Sequence, residues 1–281
     1  MTKVALVFKR SRYDLYKNSN EAETRAFATK NQNLIDNDAH HQRTLDAVVH
    51  FFDTSGIPHE LFYRGELKEK GLPDGTTLVL AVGGDGTFID ASHYVTNVPL
   101  AGINSDPTHS VGFYAAVTLD QLPALVEGTL PTINLQRIVA KVDGQRVGSG
   151  ALNDVLFGDA RLGGTARYEY QGESHKDDGI LVCTSQGSTA YMWNANGSLM
   201  PLDSGMMQAH VMGKRDSGHD LVEEVRFRNL MRSGELVIDP RHESHCVPIG
   251  AEIVLCLGDP ITVYGDFVRQ REIFLEKRGY R

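Results

Sequence analysis

The chain has 281 residues, 41% hydrophobic and 23% charged, with a formal net charge of −8. That charge argues against a nucleic-acid binder, which needs a basic face to displace counterions, and no apolar stretch approaches the roughly 18 residues of a membrane span. The length fits two modest domains better than one core. Three cysteines, Cys183, Cys246 and Cys256, form no CxxC pair; their odd number suits reduced, structural thiols. A strand-like run begins directly after Met1-Thr2-Lys3, which leaves no room for a signal or transit peptide, so the protein reads as cytoplasmic.

Residues 4–8 read as a buried strand, and residues 43–52 as a helix, with Leu45, Val48, Val49 and Phe52 at helical spacing and Gly56 as its stop. Between them, residues 11–41 are polar and irregular, longer than most connections, and read as a lid, a ligand loop or a partly disordered insert. Strand-like runs follow at 59–63, 77–82 and 99–104, with a helix over 88–95. Such alternation implies a parallel sheet with helices on its faces. After Gly112 a helix is expected at 118–127, capped by Thr118 or Asp120. Short β runs then take over at 133–142, 145–157, 165–171, 180–184, 222–228, 235–238, 252–257 and 261–264. Asp143-Gly144 is a hairpin signal. The expected organisation is an α/β domain over 1–117, a β-rich, sandwich-like domain over 118–260, and a tail, 261–281, packing back on the first domain.

Gly83-Gly84-Asp85-Gly86-Thr87 directly follows the apolar run Leu78 to Val82. A buried strand ending in three glycines lets backbone N–H groups approach a phosphate, and the helix that follows aims its positive end at the same place. Asp85 is the acid at that contact; the alternative is that Asp85 or Thr87 only caps the helix. Gly102-Ile103-Asn104-Ser105-Asp106-Pro107 ends the next strand and puts Asn104 and Asp106 on the same rim, or forms a plain Asn/Asp-Pro turn. Asn153-Asp154 is a polar pair in an apolar β run; an adenine edge or ribose diol would satisfy it, as would its own backbone. Asp178 bounds a strand that runs into Gly187-Ser188-Thr189-Ala190-Tyr191, a second potential anion or ribose site beside an aromatic ring, or an ordinary capped helix start.

In this order, GGDGT, Asn-Asp and DG…GSTAY resemble the NAD kinase family, over Lys3 to about Tyr191. Lys9-Arg10-Ser11-Arg12-Tyr13, His40-His41, the Gly102–Pro107 string and Ala151-Leu152-Asn153-Asp154-Val155-Leu156-Phe157-Gly158 look like the mitochondrial-type branch, which implies an ordered segment in place of an insert at 11–41. The resemblance implies a Rossmann-like first domain in an NAD kinase/diacylglycerol kinase-like fold. It also implies transfer of the ATP γ-phosphoryl group to the 2′-hydroxyl of the adenosine ribose of NAD, with Mg²⁺ bridging the ATP phosphates. On that reading Asp85 takes the hydroxyl proton, and Gly83, Gly84, Gly86 and Thr87 bring donors to phosphates. Asn104, Asn153, Asp154, Lys176, Asp178, Thr189, Ala190, Tyr191 and Asn194 complete the nucleotide site. The partners implied are NAD, ATP and further copies of the chain, as a homodimer or larger assembly. After Tyr191 the chain departs from the family pattern, reading Met192-Trp193-Asn194-Ala195-Asn196. Two other readings share parts of the motif set: a lipid or sugar kinase with the same turn, and a non-catalytic NAD-binding protein. His242, His245 and Cys246 carry metal-ligand chemistry but read as a polar loop, and no protein-held metal is expected.

Overall fold

A computed structural model describes residues 2–108, 110–161, 163–214, 218–239 and 243–278. The chain forms two compact units, one running to Asn134 and resuming at Ile261, the other Leu135–Pro260. In the first, β1 (Val4–Phe8) is followed by α1 (Arg12–Lys17), α2 (Ala22–Lys30) and α3 (Gln32–Ser55), then β2 (His59–Tyr63), α4 (Leu67–Lys70), β3 (Leu78–Gly83), α5 (Asp85–Ser92), β4 (Leu100–Asn104), α6 (Leu122–Glu127) and β5 (Thr132–Leu135).

Residues 11–41 are therefore three helices, not an irregular insert. The starts of α1 and α3 have local causes. The Ser11 hydroxyl accepts the Asp14 N–H at 2.9 Å and donates to Asp38 at 2.6 Å, and the Asn31 side chain accepts the Leu34 N–H. The expected helix over 43–52 is the end of α3, which stops at Gly56 with φ 64°, a left-handed cap only glycine adopts without strain. Buried His41 fixes the register of α3: Nε2–H donates to the Lys9 carbonyl at 2.7 Å, so Nδ1 accepts the Ser105 hydroxyl at 2.9 Å. Burial, with Lys9 beside it, lowers the His41 pKa and keeps the ring neutral.

The second unit contains β6 (Ile138–Val142), β7 (Gln145–Ala151), β8 (Asp154–Asp159), β9 (Ala166–Tyr170), β10 (Glu173–Asp177), β11 (Gly179–Cys183), α7 (Tyr191–Asn194), β12 (Met207–Met212), β13 (His219–Val222), β14 (Glu224–Asn229), β15 (Gly234–Ile238), β16 (Glu243–Val247) and β17 (Glu252–Leu257). They form two antiparallel sheets, ordered β10-β9-β14-β17-β6-β7 and β13-β12-β11-β8-β15-β16. Tyr168, Phe227 and Ile253 of one sheet pack with Phe157, Ile180 and Leu236 of the other, the Phe157 and Phe227 rings 5.0 Å apart. Each such side chain contributes roughly 1.5–3 kcal/mol by burial, so the sandwich rests on this shared layer. The Asp143-Gly144 hairpin forms, with φ 47° and 79°.

Two expected strands are each broken in two. The run over 133–142 is interrupted at Gln136-Arg137, where the chain passes from the first unit to the second. The run over 145–157 is interrupted at Leu152-Asn153, whose amides turn away to a carboxylate.

The chain then returns to the first unit as β18 (Ile261–Tyr264) and α8 (Phe267–Lys277), completing a sheet of order β2-β1-β3-β4-β18-β5. Pairings β1–β2, β1–β3, β3–β4 and β4–β18 are parallel. Helices α3 and α6 cover one face, burying Leu45, Val48, Phe52, Leu122 and Leu125 against Leu6, Leu80 and Ile103, so the segment from Thr118 to Asn134 belongs to this unit and not to the β-rich one. On the other face the α5 residue Phe88 stacks on Tyr114, with centroids 5.0 Å apart. Gly102 permits that contact, because a Cβ there would lie 2.6 Å from the Tyr114 carbonyl.

Candidate active site

In the first unit, the parallel strands end in one row, with Phe8 opposite Tyr63 and Val82, and Gly83 opposite Asn104. Ligands of open parallel sheets bind at this carboxyl edge. The glycine turn sits there: Gly84 is the N-cap of α5, with no side-chain cap, and the Thr87 and Phe88 amides bond to the Gly84 carbonyl. The first turn lies flat on the strand, since a Cβ on Gly83 would overlap the Thr87 side chain. Asp85 does not cap the helix. Its Oδ1 accepts the Tyr114 N–H at 2.8 Å. Burial pushes its pKa up, and the Tyr114 and Phe113 amides pull it back; the residue as a whole is only partly exposed. Asn104 is engaged by its own loop, Oδ1 accepting the Asp106 N–H at 3.0 Å and Nδ2 donating to the Ser110 carbonyl at 3.2 Å.

In the second unit, the Asn153-Asp154 pair stands at the break between β7 and β8. Asp239 holds that break: its carboxylate accepts the Leu152 and Asn153 N–H groups, both at 2.7 Å, and the Asp154 N–H at 3.3 Å. The Thr184 hydroxyl donates to the Leu152 carbonyl at 2.7 Å, and Gly187 is so close to the Asn153 carbonyl that a Cβ would overlap it. Gln186 Nε2 donates to the Gln136 and Leu152 carbonyls. Asp154 is 1% exposed, takes the Tyr191 N–H, and has no partner at Oδ1. Burial first, then nearby Asp239, push its pKa well above its ordinary 3.8.

A family model described as the ATP-NAD kinase N-terminal domain matches residues 4–131. A probable NADH kinase of Oryza sativa subsp. japonica is 29% identical over 224 residues, covering 66% of this chain and 69% of that one. An NAD kinase of Pseudomonas fluorescens is 29% identical over 216 residues, with 69% of each chain covered. Residues 4–131 thus match the N-terminal domain of NAD kinases, and the similarity to named NAD and NADH kinases extends over about two thirds of the chain. Solved NAD kinase folds agree: an Archaeoglobus fulgidus NAD kinase in complex with ATP aligns over 100% of both chains with a TM-score of 0.68 at 18% identity. A yeast NADH kinase complexed with NADH covers 98% of this chain and 87% of its own, with a TM-score of 0.65 at 13% identity.

The residues singled out fall into separate groups. Gly83, Gly84, Asp85, Gly86, Thr87 and Asn104 share the rim of the first unit. Asn153, Asp154, Ala190 and Tyr191 gather around the β7–β8 break, with Thr189 buried behind, its hydroxyl donating to the Gln186 carbonyl at 2.9 Å. Asn194 is exposed at the end of α7. Lys176 is exposed on β10, opposite Arg167. Asp178 precedes β11, whereas Thr184 follows it; six residue steps at about 3.3 Å each put Asp178 roughly 20 Å from the β7–β8 break. Cys246 and His245 lie on β16; His242 falls outside the described residues, among which no group of three metal-ligating side chains occurs. Asp239 was not anticipated, because a single Asp before Pro240 carries no spacing signal.

Asp154→Asn tests the buried carboxylate. A raised folded-state pKa means the group favours folding below its unfolded value, and that contribution is lost as pH rises through the folded value. The variant is therefore expected to gain about 1–2 kcal/mol, a few degrees in Tm, at pH 8. The gain should shrink toward pH 5, and the KM for NAD should rise. A Tm difference that did not depend on pH would contradict an ionised, enclosed Asp154.

Proposed function

We infer that the chain is an NAD kinase that transfers the γ-phosphoryl group of ATP to the 2′-hydroxyl of the adenosine ribose of NAD. The observation that carries this reading is Asp85. It is a carboxylate raised in basicity by burial, anchored by the Tyr114 amide and set in a glycine turn at the carboxyl edge of a parallel sheet. Asp85 accepts the hydroxyl proton as the new O–P bond forms and the bond to ADP breaks, giving NADP, ADP and a proton. Gly83, Gly84, Gly86 and Thr87 offer amides and a hydroxyl to phosphates. Asn153 and Asp154 hold a riboside of NAD with Ala190 and Tyr191; a sugar hydroxyl reaches the unpartnered Asp154 Oδ1 only when the Tyr191 turn shifts, because the oxygen is covered. Lys176, Asp178, Thr189 and Asn194 are second-unit candidates, and Asn104 orders the rim loop.

Mg²⁺ enters with ATP, as part of the substrate, held by phosphate oxygens. The relatives named NADH kinases, in Oryza and yeast, support NADH as a second acceptor and placement near the mitochondrial-type branch. The free cysteines fit the cytoplasm, and among the described residues no helix is long and apolar enough to cross a membrane. A homodimer or larger assembly is supported by edge strand β13, whose Leu221 is 59% exposed. The test is a coupled assay of 2′-phosphorylated product with NAD and NADH as acceptors and ATP and polyphosphate as donors. Phosphorylation of a lipid or sugar but not of NAD(H) would overturn the reading, as would NAD binding without turnover.

A further inference from the structure

We propose that Lys9, Arg12 and Arg64 form a clamp for the phosphate chain of the phosphoryl donor, on the rim beside the glycine turn; the proposal rests on the kinase reading and assigns its donor side. The topology places them. Lys9 follows β1, Arg64 follows β2 and Gly84 follows β3, and the last residues of these strands are register partners, Phe8 opposite both Tyr63 and Val82. Neighbouring strands lie about 4.8 Å apart, so the two cations and the turn occupy consecutive stations along one edge.

Among the described residues Lys9 has no tight ion pair within the rim, Arg64 is anchored by one, and Arg12 is exposed at the start of α1. Lys9 is half-buried, yet its ammonium makes no hydrogen bond or ion pair among the described residues; burial, Arg64 and Arg12 lower its pKa, while Asp106 opposes them. Cations that disfavour one another across a partly dry rim are relieved when an anion settles between them. Arg64 Nη1 bonds to Asp90 Oδ2 of α5 at 2.9 Å, and a Cβ on Gly86 would lie 3.3 Å from the same nitrogen. The guanidinium thus rests against the first turn of α5, with the rest of its planar fork left to grip phosphate. Arg10 is not part of the set, since its guanidinium stacks on Tyr63 at 4.6 Å.

The support beneath is continuous. The Lys9 carbonyl accepts His41 Nε2–H, His41 Nδ1 accepts the Ser105 hydroxyl, and the Ser105 N–H donates to the Gly83 carbonyl at 2.9 Å. One buried chain of hydrogen bonds therefore ties the loop bearing Lys9 to the glycine turn. Arg12 opens α1, whose capping Ser11 is bonded to Asp38 of α3. At the turn, buried Thr87 Oγ1 lies against Gly83 with no partner. A local group of cations, unbonded hydroxyl and glycine amides in a chain of net charge −8 matches a polyphosphate.

The experiment titrates inorganic tripolyphosphate into the full-length protein by calorimetry and measures steady-state KM values for ATP and NAD, for wild type, Lys9→Met, Lys9→Arg and Arg64→Gln. Wild type should bind tripolyphosphate in competition with ATP. Lys9→Met and Arg64→Gln should each weaken that binding, and raise the KM for ATP, about 10- to 100-fold, the loss of one charge-assisted hydrogen bond. The KM for NAD should not move, and Lys9→Arg should restore part of the loss. Should Arg64→Gln fail to fold for want of its Asp90 partner, Lys9→Met, which removes an unbonded ammonium, decides. Failure of wild type to bind tripolyphosphate, undiminished binding in Lys9→Met, or a rise in the KM for NAD in place of ATP would overturn the clamp. Tripolyphosphate binding that depends on Lys9 in a protein that does not phosphorylate NAD would leave the clamp standing and overturn the kinase reading alone.

Discussion

Asp85→Asn is expected to lower kcat for NADP formation by about 10²- to 10⁴-fold while NAD affinity, measured by calorimetry, stays close to wild type. The range is that of a lost general base. Asn is isosteric, and its amide oxygen can still accept the Tyr114 N–H that anchors Asp85, so the turn should keep its shape; what disappears is the proton acceptor. The pH profile carries the same argument. Burial raises the Asp85 pKa above its ordinary 3.8, and a base works only when ionised. Activity should therefore fall as pH drops through a value above 3.8, and this acid limb should be missing from the residual rate of the variant. A variant within about threefold of wild type would remove Asp85 from the proton-transfer role.

The first unit was legible where strands are buried on both faces. Leu78–Gly83 and Leu100–Asn104 are continuous apolar runs because helices cover both sides. Residues 11–41 resisted reading because α1 buries no residue and α2 buries only Ala28; a helix without an apolar stripe has no periodicity to detect. Its real determinants, the Ser11 cap and the buried His41, are single polar residues whose partners lie far along the chain. In the second unit, β12 went unread; so did β10, β13 and β16, for a reason related to that of α1 and α2. They are edge strands with polar sequences such as Glu173-Ser174-His175-Lys176-Asp177, half solvated and blunted by charge.

The candidate site was legible as a set of motifs but not as an arrangement. GGDGT announced its own geometry, since three glycines and one acid after an apolar strand leave few alternatives. The pair Asn153-Asp154 lies at a break between two strands, not within one. The string from Asp178 to Tyr191 reads as one motif, yet a strand separates its ends, and adjacency in sequence becomes distance along β11. Polar residues that act on backbone amides, Asp239 above all, leave no local trace, because their partners are fixed by the fold.

Asp239→Ala is expected to lower the stability of the protein by about 3 kcal/mol or more, through the loss of acceptors for three amides. Asp239 is 2% exposed, and its two oxygens receive the Leu152, Asn153 and Asp154 N–H groups, while its own N–H donates to the Asp154 carbonyl at 2.9 Å. A buried donor left without an acceptor costs roughly 1–3 kcal/mol. The backbone adds to this: Asp239 has φ 43°, a left-handed conformation that Asp tolerates better than Ala, by about 1 kcal/mol. Relief of the repulsion with Asp154 at neutral pH offsets part of the sum and does not cancel three unpaired amides. A loss of 3 kcal/mol corresponds to roughly 6–12 °C in Tm for a protein of this size, readable by calorimetry. The KM for NAD should rise with it, because the same three bonds fix where Asn153 and Asp154 point. Asp239→Asn, which keeps one acceptor oxygen, should fall between the two in both measurements. A Tm within 2 °C of wild type for the alanine variant would mean that water or a shifted backbone replaces the carboxylate at little cost, and that the β7–β8 break is held by Thr184, Gln186 and Gly187 without Asp239.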